Sequence, residues 1–240
     1  MEKLRFSTGN AKLRDGATLV FSVPAGHTCP GARDCKSLVH PDGGHLITGP
    51  HAKFTCFAAA EERRLKNVRA SRWHNYGALI NAGTRAGMAS LIGKGIDRRR
   101  KTRFVRIHAS GDFFSEDYFK AWMDVAAARP GILFYAYTKS LKFWVSNMDL
   151  VPDNMVLTAS EGGTMDKLID LHSLKSVKVV FHPEEAGDLP LDHDDSYARA
   201  PRVSFALLLH SVQPAGSKAA KAKIRMTREG VRFGYAGGKP

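Results

Sequence analysis

Residues 105–137 read VRIHASGDFFSEDYFKAWMDVAAARPGILFYAY, and the pattern of this stretch decides the fold class. Residues 105–109 and 132–137 are short runs of β-branched and aromatic residues that predict strands. Residues 116–128 between them have helical periodicity and are followed by Pro130, so they predict a helix. Because a helix that joins two buried strands forms a right-handed crossover, this stretch predicts a βαβ unit with parallel strands.

The same alternation extends across the rest of the chain and predicts a single α/β domain over residues 1–240. Two helices are predicted over residues 54–92, with a break near Ala70 and Ser71, and another helix over residues 164–172. The strands predicted for the sheet are residues 19–23, 105–109, 132–137, 155–159, 177–181 and 203–209.

Two segments depart from this alternation. Residues 24–50 are rich in Gly, Pro, His, Asp and Cys and predict a long loop. Extended to residue 56, this segment contains all the cysteines of the chain and is called the cysteine loop (residues 24–56). Residues 218–240 form a C-terminal extension that predicts a helix turn followed by a hairpin, with residues 224–226 and 231–235 on either side of Glu229-Gly230.

The composition indicates a polyanionic partner. The 240 residues include 36 Lys and Arg against 23 Asp and Glu, which gives a formal charge of +13. Such a surface favours nucleic acid or phosphorylated ligands. No stretch approaches the ~20 apolar residues of a membrane span, and no signal-peptide pattern opens the chain. We therefore expect a protein of the cytoplasm, without a membrane partner.

Cys29, Cys35 and Cys56 lie close together in the sequence, which suggests one metal or cluster site. An odd number of cysteines argues against a disulfide framework. A [4Fe-4S] cluster held by three thiolates is one interpretation, and zinc with a histidine as fourth ligand is another. The thiols could also be ordinary buried side chains. The histidines that could complete a zinc site are His27, His40, His45 and His51.

Polar residues follow the predicted strands at the ends where parallel sheets bind ligands. Because these ends meet at one edge of a sheet, we expect the side chains that follow them to outline one site beside the cysteines. Asp112, Lys139 and His108 are the candidates for a catalytic role. The candidates for cofactor binding are Ser110, Gly111, Ser160, Gly162 and Gly163.

Several of these candidates also have a structural interpretation. Asp112 could cap the helix that begins near Ser115, and His108 could be an interior histidine. Gly162 and Gly163 could form only a turn, although a glycine pair also lets a backbone approach a phosphate or carboxylate. Lys139 follows an apolar aromatic run, which is a poor place for a solvated lysine.

Two charged segments carry further alternatives. Residues 94–106 form a basic run that could be an exposed loop or could contact phosphates. Residues 192–195, Asp-His-Asp-Asp, could bind a metal or could form a solvated turn.

Five motifs resemble a known family, the bacteriophage gene product eighty-eight family. They are residues 7–13 (STGNAKL), 29–32 (CPGA), 106–113 (RIHASGDF), 135–140 (YAYTKS) and the acidic residues 192–196. The resemblance spans nearly the whole chain. It implies a phage-encoded protein in the cytoplasm of the host cell and, because that family has no assigned activity, little chemistry.

A more distant likeness is to the radical S-adenosylmethionine enzymes, which are partial (β/α) barrels of the TIM-barrel type with a three-cysteine [4Fe-4S] cluster. The cysteine loop after the first strand, the residues Ser110-Gly111-Asp112 after the second and about six βα units resemble that family. The likeness implies that Asp112 binds the amino group of S-adenosylmethionine. The C-x3-C-x2-C motif that is usual in this family is absent. The likeness therefore supports a cluster more strongly than it supports S-adenosylmethionine chemistry.

The sequence thus predicts a phage iron–sulfur protein with a radical-SAM-like partial barrel of about six parallel strands. If it is an enzyme, the free iron would bind a ligand whose carboxylate or phosphate meets Lys139 and the backbone of Gly162 and Gly163. One alternative is a zinc-stabilised protein that binds nucleic acid or modifies a base. The other is a non-enzymatic phage factor that binds a host protein.

Overall fold

A computed structural model describes residues 2–8, 13 and 15–233 of the chain. Most of its strands form one seven-stranded sheet, and two form a small separate hairpin. The strands are β1 (Ser7–Thr8), β2 (Thr18–Ser22), β3 (Ser37–Val39), β4 (Leu46–Thr48), β5 (Phe104–Ser110), β6 (Leu133–Thr138), β7 (Met155–Ser160), β8 (Ser176–Val180) and β9 (Phe205–Leu208).

The helices lie mainly between consecutive strands of the large sheet. Single turns of 3-10 helix occur at residues 148–150 and 183–186. The α-helices are α1 (Phe57–Arg64), α2 (Lys66–Ala82), α3 (Arg85–Asp97), α4 (Glu116–Ala127), α5 (Leu141–Val145), α6 (Lys167–Leu171), α7 (Ser196–Arg199) and α8 (Lys218–Arg228).

The order of the strands in the sheet follows their order in the chain. The sheet runs β1-β2-β5-β6-β7-β8-β9, with β1 antiparallel to β2 and every later neighbour parallel. Each crossover between parallel strands therefore moves one strand in the same direction, which is the connectivity of a barrel. In the described residues β1 and β9 do not pair with each other, and β9 forms a further parallel bridge, from Ala206 to Leu191. The prediction of an α/β domain with a mostly parallel sheet is confirmed.

The main core lies between the sheet and helices α3 and α4. Trp122 and Tyr118 of α4 are completely buried, and Trp122 packs edge-on against Phe21 of β2 and Phe134 of β6. α4 begins at Ser115, whose hydroxyl accepts the N–H of Tyr118 at 3.2 Å. This packing fixes β5 and β6, whose carboxyl ends carry the candidate site.

The helical region after the cysteines differs from its prediction. It contains three helices, and Ala70 and Ser71 lie inside α2. The first break is at Leu65, whose extended backbone (φ −115°, ψ 98°) ends α1, and the second is at Gly83, which adopts φ +67°. The apolar periodicity runs on through both breaks and did not reveal them. The cysteine loop also contains the β3–β4 hairpin, which was not predicted.

The predicted C-terminal hairpin is wrong in its first strand. Residues 224–226 lie inside α8, which begins where the Ser217 hydroxyl accepts the N–H of Ala220. Alanine, lysine and arginine fill most of this helix, and these residues favour helices over strands. Residues 231–233 form no strand, and residues 234–235 lie outside the described residues. In the described part of the chain, no helix is long and apolar enough to cross a membrane.

Candidate functional site

A cavity of about 200 Å³ lies over the carboxyl ends of the parallel strands and is called the inner cavity. Side chains of β5, β6, β8 and β9 line one wall, including Arg106, Tyr137 and Leu207. Phe57 and Ala58 of α1 line it from the other side. Most of the predicted site residues meet here, as expected for the ends of parallel strands. The lining residues that were predicted as site residues are Cys29, Cys35, Cys56, His108, Ser110, Gly111, Asp112, Lys139 and Ser160.

The three cysteines are free thiols on the wall formed by the cysteine loop. The Cys29 sulfur accepts the N–H of Gly26 at 3.4 Å. The ammonium of Lys36 donates to the carbonyls of Gly26 and Cys29, at 2.7 and 2.9 Å, which fixes the turn around this thiol. Cys56 stands at the N-cap of α1.

Burial makes these thiols hard to ionise. It raises the pKa of Cys29 well above its usual value, and charge repulsion from Asp112, Cys56 and Cys35 adds to the shift. Burial raises the pKa of Cys56 to about 12, although the N–H groups at the start of α1 act in the opposite direction. The pKa of Cys35 is also raised by burial, while the charge of Lys139 lowers it. The thiols therefore need a cationic partner to become thiolates.

The cysteine loop is attached to the end of β7 by backbone contacts. Ala32 and Gly163 form an antiparallel bridge. The carbonyl of Gly162 accepts the N–H of Asp34 at 2.9 Å, and the carbonyl of Gly31 accepts that of Thr164 at 2.9 Å. The thiols are thus held against the sheet by main-chain hydrogen bonds.

Gly31 lies where this attachment has no space for a side chain. A Cβ at Gly31 would meet the carbonyl oxygen of Lys139 at 2.0 Å. Because both atoms belong to the backbone, we expect Gly31→Ala to lower the free energy of unfolding by about 1–3 kcal/mol. Urea denaturation followed by circular dichroism measures this loss. Gly131→Ala is the matched control, since a Cβ at exposed Gly131 meets nothing within 4 Å. Equal effects of both substitutions would contradict the close approach.

Asp112 binds protein groups with both carboxylate oxygens. Oδ1 accepts the N–H of Phe113 at 2.7 Å and the hydroxyl of Thr138 at 2.6 Å. Oδ2 accepts the N–H of Lys139 at 2.8 Å. Burial raises the pKa of Asp112, and these hydrogen bonds oppose the shift. Asp112 therefore joins the ends of β5 and β6 and does not cap α4, where Ser115 is the cap.

Lys139 also binds within the protein. Its ammonium donates to the carbonyl of Ser160 at 2.9 Å, to the Ser160 hydroxyl at 2.7 Å and to the carbonyl of Glu161. All three donors of the ammonium are used at the end of β7. The side chain is only 8% exposed. Lys139 thus fixes the end of β7 beside Cys35.

The glycine pair does not present its N–H groups to the inner cavity. The N–H groups of Gly162 and Gly163 both donate to the carboxylate of Asp166, at 2.8 Å each. Neither glycine lines the inner cavity. These two N–H groups are therefore not available to a ligand phosphate or carboxylate, which was the contact expected from the sequence.

His108 turns its ring into the core below α4. Nε2 lies 2.9 Å from the hydroxyl of Tyr118, and the ring packs edge-on against Phe113 at 4.6 Å. Burial lowers the pKa of His108 to about 3, so the imidazole is neutral. This residue has φ +65°, next to an irregularity in the pairing of β2 with β5. The structural interpretation of His108 fits these contacts.

A buried ion pair forms the floor of the inner cavity. Oδ2 of Asp195 accepts Nη1 of Arg106 at 2.9 Å and the hydroxyl of Tyr135 at 3.1 Å, and Oδ1 accepts the hydroxyl of Tyr137 at 3.2 Å. Asp195 is fully buried, and Asp192 nearby is 4% exposed.

These contacts correct two expectations about charged segments. Of the acidic residues 192–195, Asp192 and Asp195 are buried and Arg106 neutralises Asp195 inside the fold, while His193 and Asp194 are exposed, so the segment is only in part a solvated turn. Arg106 does not belong to an exposed basic loop, since its place in β5 directs it onto the cavity face. Residues 98–101 and Arg103 are exposed, as the loop interpretation predicted.

The residues of this fold match one family model, Gene product 88, over residues 3–228. The chain belongs to the Gene product 88 family. It is 34% identical over 90 residues to the Gene 88 protein of Mycobacterium phage L5 and 31% identical over 90 residues to that of Mycobacterium phage D29. Each match covers 35% of this chain and 38% of the relative, so the chain spans under two-fifths of these proteins. No solved structure matches the chain.

A single metal ion does not fit the site of this Gene product 88 protein. Among residues 2–8, 13 and 15–233, no group of three or more His, Cys, Asp or Glu is arranged to hold one. Nε2 of His27 bonds the carbonyl of Val39 at 3.1 Å, and its ring packs against Trp73. None of the histidines proposed as a zinc ligand lines the inner cavity, which removes the support for a Cys3His site.

Glu62 is a site residue that the sequence did not reveal. It is completely buried, and its Oε1 accepts the N–H of Ala25 at 2.9 Å, Nη1 of Arg72 at 3.0 Å and the hydroxyl of Ser110 at 3.1 Å. It therefore joins the start of the cysteine loop to the end of β5. One pattern in the sequence indicates that Glu62 is buried, because it lies on the same face of α1 as the small residues Ala58 and Ala59.

Proposed function

We propose that this Gene product 88 protein binds a [4Fe-4S] cluster through Cys29, Cys35 and Cys56. The observation that carries the proposal is that these thiols, all the cysteines of the chain, line one wall of the inner cavity. Cysteine thiolates are the usual ligands of such clusters.

A cluster agrees with the site better than zinc does. One zinc ion draws four ligands to bond distance, whereas a four-iron cluster holds its thiolates further apart. None of the histidines predicted as a zinc ligand lines the inner cavity, which favours the cluster over a Cys3His zinc site. Three protein thiolates would leave one iron without a protein ligand.

Support for S-adenosylmethionine is weaker than support for the cluster. The amino group of this cofactor would have to share Asp112 with three protein donors, which occupy three of about four acceptor positions. Lys139 has no donor left for a carboxylate. The proposal therefore covers the cluster and does not extend to radical chemistry.

Metal and sulfide analysis of protein purified without oxygen tests the proposal. We expect a brown protein with about four iron and four sulfide ions per chain. Cys29→Ser, Cys35→Ser and Cys56→Ser should each lose the visible absorption. Thr55→Ser is the matched control, because Thr55 is bonded there only through its backbone, to Gln213, and should keep the absorption. Colourless protein with stoichiometric zinc would refute the cluster.

A further inference from the structure

A second opening of about 940 Å³, called the outer groove, lies beside the inner cavity. Its walls are residues 5–7 and β2 on one side, α1 and the first half of α2 on another, and residues 210–212 after β9 on the third. It therefore lies between the two ends of the row of parallel strands. Phe57, Ala109 and His210 line both the outer groove and the inner cavity.

An aromatic pair separates the two spaces. The rings of Phe57 and His210 are 4.9 Å apart between centroids and inclined by 35°. Phe57 follows Cys56 directly and begins α1, so this wall is continuous with the thiol wall of the inner cavity. A flat ligand that lies in the groove against this pair is thus next to the thiols.

Two arginines of the outer groove carry positive charge that no carboxylate of residues 2–8, 13 and 15–233 neutralises. Arg5 and Arg64 are exposed, and no carboxylate of the described residues pairs with either. The other arginine of the groove, Arg72, is paired with Glu61 and Glu62.

The inner cavity differs from the outer groove because its charged side chains are bonded to protein groups. Arg106, Asp112 and Lys139 are each bonded to other protein groups there. Apolar side chains such as Val179 and Leu207 occupy much of the remaining lining. Anionic parts of a ligand are therefore favoured in the groove, and neutral parts are favoured near the cavity.

We propose that the outer groove binds a nucleotide unit, with its phosphate on Arg5 and Arg64 and its base against Phe57 and His210. Arginine binds phosphate through two parallel donors, and aromatic rings bind bases of any sequence by stacking. The formal charge of +13 favours the same polyanionic class. The proposal goes beyond the cluster and does not depend on it, because none of these four residues is a proposed ligand of iron.

Fluorescence anisotropy with a labelled single-stranded oligonucleotide tests the site on the protein as purified. We expect Arg5→Ala/Arg64→Ala to weaken binding at least tenfold. The slope of log affinity against log salt should fall by about 0.7, as for one lost phosphate contact to a single strand. Arg99→Ala/Lys101→Ala removes the same charge at the opposite end of β5 and should change affinity by less than about twofold.

A second variant and a competitor complete the test. Phe57→Leu keeps an apolar side chain but removes the ring, and should weaken binding roughly tenfold. Unlabelled mononucleotides that compete identify free nucleotides as ligands, while binding of the oligonucleotide alone identifies a strand, and either result supports the site. Equal losses in the two double variants, an unchanged affinity of Phe57→Leu, or no binding of either probe would overturn it.

Discussion

Asp195→Asn is expected to lower the free energy of unfolding by about 3–5 kcal/mol, since it removes the carboxylate charge that binds the buried guanidinium of Arg106. Arg106 is 5% exposed and Asp195 is fully buried, so bulk water solvates this pair poorly. The hydroxyls of Tyr135 and Tyr137 also lose a charged acceptor. Asparagine tolerates the left-handed backbone of this position (φ +64°), so the loss reports on charge. Urea denaturation at neutral pH measures it.

The control for this loss is an exposed ion pair of the same type. Arg85 binds Asp124 through two guanidinium nitrogens, and both side chains are more than a third exposed. Asp124→Asn should therefore cost no more than about 1 kcal/mol. If Asp195→Asn also costs less than about 1 kcal/mol, the floor of the inner cavity is hydrated and the charge of Arg106 does not depend on Asp195.

The strands could be predicted from the sequence because each is a short apolar run that ends at a polar residue. β6 and β7 were predicted to within one residue, since aromatic residues such as Phe134 and β-branched residues such as Val156 favour strands. The helix breaks at Leu65 and Gly83 could not be predicted in this way. Leucine is a good helix former, so the residue type of Leu65 does not indicate the extended backbone that ends α1 at this position.

The location of the site could also be predicted, but the partners of its side chains could not. The carboxyl ends of parallel strands meet in space, which brought Asp112, Lys139 and the cysteines to one cavity. Which groups they bind depends on distances between remote segments. Arg106 and Asp195 are 89 positions apart in the chain, and no local pattern indicates that they pair.

Burial of His108 in β5 is expected to make the free energy of unfolding depend strongly on pH. Burial lowers the pKa of His108 to about 3, against 6.5 for an ordinary histidine, and no charged partner compensates. Between these two values the unfolded chain binds a proton that the folded protein does not. The contribution of neutral His108 to the free energy of unfolding is therefore complete above pH 6.5 and is lost as the pH falls. The loss should reach about 1.4 kcal/mol per pH unit, or roughly 5 kcal/mol by pH 3.

His108→Asn isolates this contribution, because asparagine does not titrate and tolerates φ +65°. Its smaller side chain lowers the free energy of unfolding equally at every pH, so the difference from the unmodified protein should shrink between pH 6.5 and 4. Tyr118→Phe is the control. It removes the hydrogen bond to Nε2 but keeps the buried imidazole, so the pH slope should persist with a constant loss of about 1 kcal/mol. The prediction is contradicted if Tyr118→Phe abolishes the pH slope while His108→Asn keeps it. The acid sensitivity would then come from the hydrogen bond and not from burial of the ring.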